Sequence, residues 1–208
     1  MVIFLDSAIH EEVKEAMAWG FVAGVTTNPV LLAAAGDVSL DALKPLCDMV
    51  PGLVFYQLAS QGLNAMLMEG QAAFSVSPSQ VVLKVPCTLD GLRVVARLSL
   101  ELPCAVTAIF SPAQAYMARE AGARYLVPYV NRGTRLMGDG PGLIRSMAEV
   151  INGRSTEIVA ASIKSSTEAV AALNAGAQHL TLPLKVIKEM ARHSLSDQAI
   201  EEFGRYSD

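Results

Sequence analysis

A chain of 208 residues has the length of one domain, at the short end for an eight-unit α/β barrel, and its 52% hydrophobic content is enough to bury a substantial core. Its 16 Lys and Arg against 20 Asp and Glu leave a net charge of −4, without the basic run that a phosphodiester backbone demands, so nucleic acid is excluded as an expected partner. No stretch reaches membrane-spanning length, and the amino terminus has neither a basic n-region nor a long apolar h-region, which points away from a membrane and toward the cytoplasm.

In chain order, short apolar β-branched runs alternate with longer segments of helical period, as in repeated βα units. Strands are predicted at residues 2–6, 21–26, 53–58, 80–85, 104–109, 124–129, 156–161 and 178–182. Helices are predicted from Glu11 to Trp19, Asn64 to Phe74, Leu89 to Leu100, Pro112 to Ala121, Gly142 to Ile151 and Thr167 to Asn174. Pro112 and Pro141 suit a first helical turn, and Gly20, Gly122 and Gly176 follow helical runs where a left-handed C-terminal residue is common. The four glycines and one proline between Gly133 and Gly142 predict a mobile loop after strand six. Ala199, Ile200, Phe203 and Tyr206 fall at helical spacing, so Ser196 to Tyr206 is expected as a final amphipathic helix seeking an apolar surface, its own or a neighbour's.

Most strands are continuous apolar runs, which fits a parallel sheet covered on both faces. The expected fold is a single (β/α)8 TIM barrel with an extra C-terminal helix, one domain over residues 1–208. The alternative, an open doubly wound sheet, usually brings a glycine-rich turn after strand one; here Ser-Ala-Ile-His follows Asp6. Cys47, Cys87 and Cys104 are isolated and read as reduced core thiols, and His10, His179 and His193 lack metal-ligand spacing, so no metal site is expected.

Catalytic groups of such barrels project from the carboxyl ends of the strands. The polar residues there are Asp6, the run Thr26, Thr27 and Asn28, Gln57, Lys84, Thr107, Tyr129 with Arg132, and Ser162. Lys84 lies between Val81-Val82-Leu83 and Val85-Pro86; desolvation favours a neutral amine, the form that attacks a ketone. Other readings stand beside each of these: Lys84 paired with a carboxylate such as Asp6 and chemically idle, Asp6 as a helix cap, Thr26 to Pro29 as a turn, Gln57 and Tyr129 as core residues. Arg132 and Ser162 read either as surface residues or as a phosphate clamp.

The segments Phe4-Leu5-Asp6-Ser7, Gly24-Val25-Thr26-Thr27-Asn28-Pro29, Val82-Leu83-Lys84-Val85-Pro86, Val127-Pro128-Tyr129-Val130-Asn131-Arg132, Ala160-Ala161-Ser162-Ile163-Lys164 and Thr181-Leu182-Pro183-Leu184 occur in that order over essentially the whole chain. In them the chain resembles the small transaldolase family, most closely its fructose-6-phosphate aldolase branch. The resemblance implies that Lys84 forms a Schiff base, that Asp6 is an acid/base and donor-hydroxyl partner, and that Thr26 and Asn28 bind donor hydroxyls. It implies that Arg132 and Ser162 hold a phosphate, while Gln57, Thr107 and Tyr129 position a water. The implied substrate is a sugar phosphate, with no cofactor, and the implied assembly is a homo-oligomer, a pentamer or decamer. One position departs from the pattern: relatives commonly carry Asp two residues after the phosphate arginine, where this chain has Thr134. The transaldolase branches carry Glu at the position of Gln57 and typically Phe at that of Tyr129. Transaldolase chemistry is therefore the alternative to the aldolase, and a phosphosugar isomerase or a non-catalytic binding barrel stands further off.

Overall fold

The computed structural model describes residues 1–36, 38, 40–152 and 155–205. Its elements run β1 (Ile3–Asp6), α1 (His10–Ala18), β2 (Val22–Thr26), α2 (Pro29–Ala34), a short 3-10 turn (Leu40–Ala42), α3 (Leu43–Met49), β3 (Leu53–Gln57) and α4 (Leu63–Val76). They continue with β4 (Val81–Pro86), α5 (Leu89–Leu98), β5 (Cys104–Ile109), α6 (Pro112–Glu120), β6 (Tyr125–Pro128), α7 (Val130–Met137) and α8 (Gly140–Ile151). The last are β7 (Glu157–Ala160), α9 (Ser166–Asn174), β8 (His179–Leu182), α10 (Leu184–Met190) and α11 (Ser194–Gly204). All eight strands pair in parallel in sequence order, and β8 closes on β1. This is the expected (β/α)8 TIM barrel.

Side-chain parity along each strand divides the core in two. On β4, Val81, Leu83 and Val85 face outward into the apolar layer between sheet and helices, whereas Val82 faces the barrel interior. The interior floor is built from Phe4, Phe55, Val82, Ala105, Tyr125, Val127 and Val159. The Phe4 and Phe55 rings meet edge to face at 5.0 Å, and Phe55 and Tyr125 tilt together at 5.2 Å. Two residues further along the same strands, on the same face, come Asp6, Gln57, Lys84, Thr107 and Tyr129. The fold thus places a polar layer directly above an aromatic and aliphatic plug.

The predicted mobile loop from Gly133 to Gly142 is instead the end of one helix and the start of another. Gly138 takes a left-handed φ of 90° and ends α7, Asp139 caps α8 by accepting from the Gly142 N–H, and Pro141 occupies the first turn of α8. Gly140 is there for closeness: a Cβ would lie 2.2 Å from the Val130 carbonyl oxygen. Besides α7, three short helices, α2, α3 and α10, lie outside the predicted ones, each having only six or seven residues in which to show a period. The C-terminal helix is present as α11 with no buried residue; Leu195, Ile200 and Phe203 are exposed, and Tyr206 lies outside the described residues. No helix among the described residues is long and apolar enough to cross a membrane. Burial raises the thiols of Cys47, Cys87 and Cys104, the last to about 12, so all three stay protonated and weakly reactive at neutral pH.

Candidate active site

A cavity of about 460 Å³ opens at the carboxyl ends of the strands, and its wall includes Asp6, Asn28, Gln57, Lys84, Tyr129, Arg132 and Ser162. A larger cleft, about 650 Å³, lies at the opposite end of the sheet around Arg119, Arg124 and Tyr125. Size favours the larger one, but the amino ends of barrel strands rarely carry chemistry, and the smaller cavity holds the buried lysine whose amine burial shifts down.

Lys84 is 3% exposed. Burial pushes its amine down from 10.5 to about 8, opposed by the negative charge of Asp6. No carboxylate lies within ion-pair distance of its Nζ among the described residues, so the idle-ion-pair reading of Lys84 loses its main support. An amine at about 8 is neutral in roughly a tenth of molecules at pH 7, against well under a thousandth for an ordinary lysine.

Asp6 Oδ1 accepts from the Thr26 hydroxyl at 2.9 Å, and Thr26 Oγ1 lies 2.6 Å from Thr181 Oγ1. Thr26 is fully buried and stands behind Asp6, away from the cavity wall. Asn28 caps α2, its Oδ1 accepting from Val30 and Leu31, which leaves Nδ2 as a donor. Gln57 presents an Oε1 that is buried and unpaired among the described residues, an acceptor suited to a hydroxyl or water. The loop after it is fixed by Glu69, which accepts from Tyr56 OH and from the backbone N–H of Ala59 and Ser60.

Thr107 also stands behind the wall and donates to Tyr129 OH at 3.2 Å, leaving the phenol hydrogen free to be donated elsewhere. Its neighbour Ala108 adopts φ 58° where the β5–β6 register shifts, so the strand end is bent at this point. The Tyr129 ring is held edge-on by Phe110 and carries the Arg132 guanidinium 4.9 Å from its centroid. Tyr129 therefore orients Arg132. Thr134 plays a different part, donating to the Val130 carbonyl and accepting from Gly140 N–H, so that it ties α7 to α8.

Ser162 follows β7 with φ 58°, an uncommon conformation for a residue with a Cβ. Glu168 ties its loop to the first turn of α7, which carries Arg132, accepting from Asn131 Nδ2 and from Lys164 N–H, both at 2.7 Å. Two cavity residues were not singled out from sequence. Lys164 adds a second cation beside Arg132, and Thr181 adds a hydroxyl from β8. Both lie within the motif segments, but strand-end parity alone would have found Thr181.

Comparison with known proteins identifies the family. The family model described as Transaldolase/Fructose-6-phosphate aldolase matches residues 3–207. A "Probable transaldolase" of Bacillus cereus is 40% identical over 206 residues, 98% of this chain and 95% of that protein. A "Probable transaldolase" of Symbiobacterium thermophilum is 37% identical over the same shares. Among solved structures, the inosine 5' monophosphate dehydrogenase of Legionella pneumophila superposes with a TM-score of 0.65 at 15% identity. That match covers 89% of this chain and 58% of the dehydrogenase, a likeness of fold alone. By its family match and its full-length relatives, the chain belongs to the Transaldolase/Fructose-6-phosphate aldolase family.

Proposed function

We propose that the protein is a metal-independent Schiff-base aldolase that reversibly cleaves fructose 6-phosphate to dihydroxyacetone and glyceraldehyde 3-phosphate. The observation that carries this reading is a desolvated Lys84 amine in the same cavity as Asp6, Gln57 and Tyr129. Lys84 becomes the neutral nucleophile as its ammonium proton passes, through water, to Asp6; it then attacks C2 of the ketose and yields one amine proton to the carbonyl oxygen, and Asp6 returns the first proton to the departing hydroxyl, which leaves as water as the C=N bond forms. A water held by Gln57 and Tyr129 takes the C4 hydroxyl proton. The C3–C4 electrons flow into the iminium, so the aldehyde leaves and an enamine stays on Lys84. Protonation at C3 and addition of water then release dihydroxyacetone and restore the amine. Because the iminium is the electron sink, the reaction requires neither a metal nor an organic cofactor.

Borohydride reduction in the presence of fructose 6-phosphate, followed by peptide mass spectrometry, tests the reading. A stable adduct on the Lys84 peptide is expected, and an active protein that forms none would overturn it.

In this reading Arg132, Ser162 and Lys164 hold the phosphate. Arg132→Ala is expected to raise KM for phosphorylated aldehydes about 10- to 100-fold, the scale of one charge-assisted hydrogen bond, with kcat little changed. Glyceraldehyde without phosphate should be far less affected in the same synthesis assay. Equal loss with both would remove the phosphate assignment.

A second reading, transaldolase, is favoured by the names that the relatives carry. It differs in the fate of the enamine, which a second aldose phosphate intercepts before hydrolysis. The amide of Gln57 orients water without being a strong base, and the Tyr129 phenol is free to donate, a pairing that supports hydrolytic release. Gln57→Glu with Tyr129→Phe is accordingly expected to raise transfer to erythrose 4-phosphate relative to release of dihydroxyacetone. If the wild type transfers rapidly but cleaves nothing without an acceptor, the transaldolase reading replaces the first.

We further propose a homo-oligomer, with the exposed apolar residues of α11 as a contact surface. Light scattering that finds only the 22.1 kDa species at micromolar concentration would refute this.

A further inference from the structure

Closure of the barrel brings Thr181 on β8 next to Phe4 on β1, while Asp6 on β1 pairs with Thr26 on β2. Three side chains from three adjacent strands therefore form one chain at the rim. Thr26 has a single hydroxyl hydrogen and two oxygen neighbours, Asp6 Oδ1 at 2.9 Å and Thr181 Oγ1 at 2.6 Å. An ionised carboxylate only accepts, so the Thr26 hydrogen goes to Asp6 and the shorter contact is filled by the hydrogen of Thr181. Thr26 is 0% exposed and Thr181 1%, so solvent does not compete for either bond. A hydroxyl that accepts one hydrogen bond donates a stronger one, and in a buried site the effect is not diluted by water. Asp6 Oδ1 is thereby engaged, which leaves Oδ2 for the reacting groups in the cavity.

We propose that Thr181 is a positioning residue for the reaction: by donating to Thr26 it fixes and polarises the hydroxyl that holds the Asp6 carboxylate at the working face of the cavity. The kinetic consequence rests on the aldol-cleavage reading, whereas the hydrogen-bond chain does not.

Two substitutions separate this role from packing. Thr181→Val keeps the shape and loses the hydroxyl; Thr181→Ser keeps the hydroxyl and loses a methyl. Were the residue there only to fill space, Ser would be the more damaging. For cleavage of fructose 6-phosphate, Thr181→Val is expected to lower kcat about tenfold or more, an appreciable part of what one acid/base group contributes, with KM within about twofold. Thr181→Ser should stay within about threefold of wild type on the same scale. The companion measurement is the side-chain carboxyl carbon signal of Asp6 at fixed pH in the full-length protein, identified by its loss in Asp6→Asn. That signal should move in Thr181→Val and hold its place in Thr181→Ser. A protein that shows no aldol cleavage but shows this pattern keeps the chain and loses only the reaction assigned to it. An unmoved signal in Thr181→Val, or a valine variant as active as the serine variant, overturns the proposal.

Discussion

Lys84→Met is expected to reduce fructose 6-phosphate cleavage to background, a loss of at least about 10⁴-fold, because no other group in the cavity wall is a primary amine desolvated enough to form the imine. The same variant should be more stable than wild type. The folded-state amine titrates at about 8 and an unfolded lysine near 10.5, so between those values the unfolded chain binds more protons and stability rises with pH. Below about 8 the full cost of burying the ammonium applies, and methionine removes it while filling similar space; the gain at pH 7 is on the order of 2–4 kcal/mol. Denaturant unfolding at pH 7 and pH 10 checks both parts, since the advantage should shrink at the higher pH. A Lys84→Met protein that folds and turns over at more than a hundredth of the wild-type rate would remove Lys84 as nucleophile, and a destabilised one would remove the account of its burial.

Asp6→Asn is the second large effect, an expected loss in kcat of about 10²- to 10³-fold, from removal of the proton donor in carbinolamine dehydration. Its pH signature runs the other way from its rate. The Asp6 charge raises the Lys84 amine against the lowering by burial, so removing that charge lets the amine fall below about 8. The alkaline rise in imine formation, followed by borohydride trapping across pH, should therefore move to lower pH even as turnover falls. Turnover within threefold of wild type would exclude Asp6 from the proton transfers, and an unmoved profile would separate it from Lys84 altogether.

All eight strands were legible because fully buried parallel strands have a signature of their own, and parity then set Asp6, Gln57, Lys84, Thr107 and Tyr129 on one interior face. Ser162 and Arg132 were less accessible to this logic. The first faces the cavity only through a left-handed backbone, and the second lies on α7, a helix hidden by glycines that read as loop signals. Of those glycines Gly140 serves close approach, since a Cβ there would lie 2.2 Å from the Val130 carbonyl oxygen and 2.6 Å from Thr134 Oγ1, while Gly138 supplies a left-handed turn. The division of labour between Thr26 and Asp6, or Thr107 and Tyr129, was not legible either. Sequence places both members of each pair at the rim, but only coordinates tell which faces the cavity and which stands behind it.

Closure of β8 onto β1 also restricts how copies of this chain can meet. Every strand has a neighbour on both sides, so the sheet offers no row of unpaired N–H and C=O groups to which another chain could add a strand. In the proposed homo-oligomer, recognition would then run through side chains on the outer helices, and point substitutions at Leu195, Ile200 or Phe203 would alter it without touching the register of the barrel. The proposed assembly and the proposed chemistry would in this sense be separately adjustable, one written on the rind of the molecule and the other on its inner rim.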